Sequence, residues 1–62
     1  MIVLAKFIGE NGSMGYIKNK QYLLRVSNDN TIIRLDGTGK CQYESVVAFL
    51  NNWSHIVEHI HS

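Results

Sequence analysis

The run Ile-Val-Leu-Ala-Lys-Phe-Ile at positions 2–8 is short, rich in branched apolar residues and followed at once by glycine, which predicts a strand. Two-residue alternation puts Val3, Ala5 and Phe7 on one face and Ile2, Leu4, Lys6 and Ile8 on the other, so both faces are largely apolar. Residues 9–15 contain Gly9, Gly12 and Gly15 and read as a loop, because glycine supplies positive φ and no packing. Tyr16-Ile17 predicts the start of a second, short strand, turned by Lys18-Asn19-Lys20. Positions 21–27 alternate cleanly, Tyr22, Leu24 and Val26 against Leu23 and Arg25. Asn28-Asp29-Asn30 predicts a hairpin turn, since Asn and Asp tolerate left-handed backbone and bond their own turn. The return strand covers 31–35, with Ile33 and Leu35 inward and Ile32 and Arg34 opposite. A turn at 36–39 and a short strand at 40–43 follow.

Beyond residue 43 the period lengthens. Val46, Phe49, Leu50, Trp53, Ile56, Val57 and Ile60 recur every three or four residues, one stripe of an amphipathic helix. Ser45 is its predicted N-cap. Asn51, Asn52 and Ser54 weaken its middle, so the helix spans about 45–53 or longer, and the rest, to 62, is a turn or a frayed tail. The chain is thus expected to be one α+β domain over 1–62, with a small antiparallel β-meander whose strands lie within 2–43. Val3, Ala5, Phe7, Tyr22, Leu24, Val26, Ile33 and Leu35 would face inward, in an SH3-like barrel closed by one C-terminal amphipathic helix. A flat sheet with one helix across it satisfies the same pattern.

Size changes the picture next. A chain of 62 residues buries only about 60% of the surface its unfolded form exposes, so its stability is marginal and a partner would add to it. Cys41 is the sole cysteine, which excludes an internal disulfide. With an apolar first strand as well, a homodimer or another covering partner is expected. The unpaired cysteine and the lack of a charged leader before the apolar N-terminus fit a reducing cytoplasm. No run approaches the roughly 20 apolar residues of a membrane span, so no membrane partner is expected. Net charge is +1, yet unevenly held: all six cations lie in residues 1–40 with three acids, whereas 41–62 hold Glu44 and Glu58 and no Lys or Arg. The β-rich part can therefore meet an anionic ligand, though nothing requires it to.

Candidate chemistry is sparse. Gly9-x-x-Gly12-x-x-Gly15 follows a strand, and free amides in such a loop can form an anion-binding nest. It lacks the Gly-Lys-Ser/Thr ending and the helix of a phosphate loop. Gly12, Ser13, Met14 and Tyr16, with Lys18 and Lys20 beside them, are the candidate ligand or partner residues there; a plain wide turn is the alternative. Arg25 and Arg34 would form a cationic pair on the outward face, interleaved with tyrosines as a nucleic-acid platform would be. A merely solvated face reads the same way. His55-Ile-Val-Glu58-His59 matches H-x-x-E-H, with His61 beyond it. A chain this short has no room for the cleft and further ligand of a metalloprotease, so no catalytic residue, metal or cofactor is expected.

Lys6-Phe7-Ile8-Gly9, Asn11-Gly12-Ser13-Met14-Gly15, Lys20-x-Tyr22 and Tyr43-x-Ser45-x-x-x-Phe49-Leu50-x-Asn52-Trp53 together resemble a group of short proteins encoded by phages, prophages and other mobile elements, mainly of Gram-positive bacteria. The resemblance covers residues 5–53 and omits the histidine tail. It implies an accessory protein in a host cytoplasm that binds and inhibits or redirects a host protein, host-defence systems included. It carries no catalytic or ligand residues. A small nucleotide- or nucleic-acid-binding module using the glycine loop and the basic sheet face is the alternative from another class.

Overall fold

The computed structural model describes residues 1–59, so Ile60 of the apolar stripe and His61 lie outside the described residues. Five strands form one antiparallel sheet: β1 (Ile2–Phe7), β2 (Gln21–Val26), β3 (Thr31–Arg34), β4 (Lys40–Gln42) and β5 (Trp53–Glu58). The first four follow one another as a meander. A seven-residue helix, α1 (Val46–Asn52), then carries the chain back to the far side of β1, giving the order β4-β3-β2-β1-β5. β1 is therefore central, with β2 and β5 as its neighbours. The sheet is open, with β4 and β5 as its edges, so the α+β meander stands and the barrel closure does not.

One face of the sheet holds the core. Val3, Ala5, Phe7, Tyr22, Leu24, Ile32 and Trp53 are buried on it, and Phe49 of α1 and Tyr16 of the β1–β2 loop cover them. All six aromatic residues belong to this cluster or pack against it. Trp53 is the hub: its ring meets Phe7 at 5.1 Å, Tyr16 at 4.9 Å and Phe49 at 6.4 Å between centroids. Its indole N–H donates to the Tyr43 hydroxyl at 3.0 Å, which satisfies the one polar atom that its burial would strand.

Local signals explain most boundaries. The Ser45 hydroxyl accepts from the Ala48 amide at 3.1 Å, the cap expected from sequence. At the other end Asn52 turns its carbonyl to the Ile8 amide and its side chain to the Ala48 carbonyl, which ends the helix before Trp53. The 27–30 turn is closed by Asp29 accepting from the Thr31 amide and by Asn30 at φ 65°. Gly9 is required by contact: a Cβ there would collide with Asn52 Oδ1 and the Phe7 ring.

Three expectations are corrected. Residues 53–58 form β5, neither helix nor tail. Opposite β1 the register runs Phe7–Trp53, Lys6–Ser54, then Leu4–Val57, so His55 and Ile56 together oppose Ala5 in a β-bulge, with His55 at φ 51°. The inserted residue lengthens the spacing of inward side chains from two to three, Trp53 to Ile56, and so imitates a helical period. Secondly, Tyr16-Ile17 starts no strand; Tyr16 is buried in the core. Thirdly, β3 is one residue out of the expected phase: Ile32 pairs with Val26 and is buried, Ile33 pairs with Arg25 on the opposite face, and Leu35 is partly exposed. Thr31-Ile32-Ile33 offers apolar or β-branched groups to both faces, so its sequence does not set the phase; the turn does.

The bulge makes a prediction of opposite sign for strand and helix. His55→Gly relieves left-handed backbone and is expected to stabilise the fold by about 0.5–1 kcal/mol in urea unfolding. In a helix the same change would instead cost roughly a few tenths of a kcal/mol.

Candidate functional site

The glycine loop spends its amides on itself. Gly12 and Gly15 take positive φ, and Ser13–Gly15 make one 3-10 turn between them. The Gly12 amide donates to the Tyr16 carbonyl at 2.7 Å, Ser13 to Glu10, Gly15 to Gly12 and Tyr16 to Ser13. The Ile17 amide donates to the Tyr22 hydroxyl and that of Lys18 to Asn11 Oδ1. A nest needs consecutive amides aimed at one point in solvent. Here they stitch the loop so that Tyr16 plugs the sheet. Met14, by contrast, is held at φ 52° with its side chain 54% exposed, an uncommon backbone for a residue with a long side chain. Lys18 is exposed, while the Lys20 ammonium sits 5.5 Å from the Tyr22 ring centroid.

The two arginines part company. Arg34 pairs with Leu24 on the core side, not on the outward face predicted for it. Its guanidinium lies 4.7 Å from the Tyr22 ring and 5.9 Å from that of Tyr16, and its Nε donates to Asp36 Oδ1 at 2.8 Å. A Cβ on Gly37 would come within 3.0 Å of that Nε, so glycine lets the turn lie close against the guanidinium. Arg34 is a lid on the aromatic cluster. Arg25 is the arginine that faces out.

Around Arg25 lies a surface that the candidate residues sampled at only one point. Cross-strand register sets Leu23, Leu4 and Val57 side by side over β2, β1 and β5. A parallel row on one side runs Lys40, Ile33, Arg25, Ile2, and on the other Gln21, Lys6, Ser54. Leu4 is 37% and Val57 62% exposed, and among the described residues no further element packs over them. Arg34–Asp36 is the single ion pair among the described residues, so Lys6 and Arg25 have none. Asp29 accepts from the Thr31 side chain and the Thr31 amide, and these bonds, with the Lys40 charge adding to them, hold its carboxyl below the usual range. The signal for this face was in β1 all along, apolar on both sides. What hid the full patch was the absence of β5, and with it Val57, from the expected sheet.

An apolar concavity of about 370 Å³ lies between α1 and the 27–30 turn, lined by Met1, Val26, Ile32, Val46, Phe49 and Leu50 among others. Among the described residues, His, Cys, Asp and Glu form no group of three that could hold a metal ion. Burial pushes the Cys41 thiol up, away from the thiolate that a nucleophile needs. No helix among the described residues is long and apolar enough to cross a membrane. Compared with known proteins, the chain matches no family model, no curated protein and no solved structure.

Two outcomes test these assignments. Arg34→Ala is expected to lower the urea midpoint while Arg25→Ala leaves it unchanged, since only the former covers buried rings. Burial pushes the Tyr16 phenol above its ordinary value of 10.0, with the Arg34 guanidinium opposing it. Such a group favours folding in its neutral form, a contribution whole below the unfolded pKa and lost as pH rises through the folded one. Tyr43 and Cys41 shift the same way, again by burial. Unfolding free energy should therefore fall as pH climbs past about 10, and less steeply in Tyr16→Phe.

Proposed function

We propose that the chain is a non-catalytic, phage-type accessory protein that acts in the cytoplasm of a bacterial host by occupying a host protein and so inhibiting or redirecting it. The observation that carries this reading is the open sheet face, where Leu4, Leu23 and Val57 form a row with unpaired Lys6 and Arg25 beside it. A monomer has no use for an apolar row at the centre of a sheet face that none of the described residues covers, whereas a binding surface requires one. The resemblance of residues 5–53 to short phage and prophage proteins supplies the host setting. A role in blocking host defence fits a protein that works by stoichiometric contact.

The alternative, a nucleotide or nucleic-acid module, draws less support. Base stacking needs exposed aromatic faces, and all six aromatic side chains are committed to the core cluster. The loop amides that a phosphate would use are bonded internally. A homodimer through the open face would set cations against cations.

A tagged chain incubated with lysate of a Gram-positive host, with and without nuclease, tests the reading. A protein captured in equimolar amount is expected, retained by Lys18→Glu/Lys20→Glu and lost in Leu4→Glu. Capture abolished by nuclease, or by the lysine changes alone, would transfer the function to an anionic ligand.

A further inference from the structure

Resting on that reading, we infer that the open sheet face is the seat of an acidic amphipathic helix supplied by the partner protein. A sheet covered by rings and a helix on one side, and by no further described element on the other, has room for a third layer, and a helix is one element that covers a sheet face. Strand addition at an edge is poorly served: β4 has three residues and β5 carries the bulge at His55, the device that blunts an edge. The broad face is what remains.

Charge selects the occupant. Lys6 pairs with Gln21, and Arg25 stands four residues further along β2, which separates the two cations by about 14 Å with the Leu4–Leu23 pair between them. A helix laid along β1 and β2 spans that distance in roughly nine residues. Acidic side chains that far apart, with apolar residues at three- and four-residue spacing between them, would meet Lys6 and Arg25 while burying the leucines. No carboxylate belongs to the three rows of the face. Asp29 borders the face beside Lys40, at its far edge from Lys6. A second copy of this chain therefore sets like charge against Lys6 and Arg25, at a cost, whereas carboxylates complement them. The face also lacks aromatic residues, the side chains that anchor proteins at a lipid interface and stack nucleic-acid bases.

The test titrates the methyl and amide NMR spectrum of the full chain with synthetic helical peptides of about 18 residues. One carries a leucine stripe bordered by two glutamates at this spacing, and the other is identical but for lysines in their place. The glutamate peptide is expected to shift Leu4, Leu23 and Val57 and to bind about tenfold more tightly than the lysine peptide. Lys6→Glu/Arg25→Glu, two surface changes checked by near-ultraviolet circular dichroism, should reverse that preference. Equal binding of both peptides overturns the inference, as does a preference that survives the charge reversal. So does saturation of the face by phosphatidylserine–phosphatidylcholine vesicles, by a single-stranded DNA oligonucleotide, or by self-association in sedimentation. A host protein captured through Leu4 without preference for the glutamate peptide would sink the acidic helix and leave the binding reading standing. Capture abolished by nuclease would sink the binding reading itself.

Discussion

The burial of Trp53 is the constraint from which the rest of the architecture follows. Its indole sits where α1 ends and β5 begins, 1% exposed, with Phe7, Tyr16, Tyr22 and Phe49 against its faces and edges and Tyr43 accepting its single proton. An indole of that size can be buried only where its N–H finds an acceptor, and Tyr43 provides one from the segment just before the helix. Fixing the indole there pins both helix and strand to the same point. The helix is too short to hold itself, with seven residues and one buried side chain. Its position depends on the ring packing of Phe49 with Trp53 and Tyr43 and on the bond from the Ile8 amide to the Asn52 carbonyl.

Concentrating every aromatic on one face leaves the other face with what remains. Leu4, Leu23, Ile2, Ile33 and Val57 share it with Lys6, Arg25 and Lys40. Because β5 joins β1 from the far side, that face is wider than the meander alone would make it, and β1 becomes its centre. The two faces thus divide the work: one supplies most of the stability, and the other is free to meet a partner without disturbing the core. Arg34 belongs to the first face and Arg25 to the second, although both are cations on neighbouring strands.

How much of this was legible in the sequence varied with how local its cause was. β1, β2, the 27–30 turn and the Ser45 cap each rest on neighbouring residues, and each was readable. The end of the helix near Trp53 was readable too, from Asn51 and Asn52. β5 was not, because a bulge converts strand spacing into helical spacing, so Trp53, Ile56 and Val57 satisfied the wrong template. The phase of β3 was hidden by two adjacent isoleucines and decided by a turn. That error carried Arg34 to the outward face and into the candidate site. Tyr16 was chosen there as an exposed anchor, and loop hydrogen bonds between residues several positions apart sent it inward. Met14 and Arg25 are exposed, as a candidate contact must be. Leu4 stood out as an apolar residue on the second face of β1, while Val57 could enter only with β5.

The central claim is that the sheet has one covered face and one open face. Paramagnetic relaxation of methyl protons by an inert soluble agent reads it directly, since relaxation falls steeply with depth below the surface. The account predicts strong enhancement for Leu4, Ile33 and Val57 and little for Val3, Leu24 and Ile32, their alternating neighbours on the same strands. Leu4 and Val57 as protected as Val3 in the isolated chain would mean that the second face is already covered, and would contradict it.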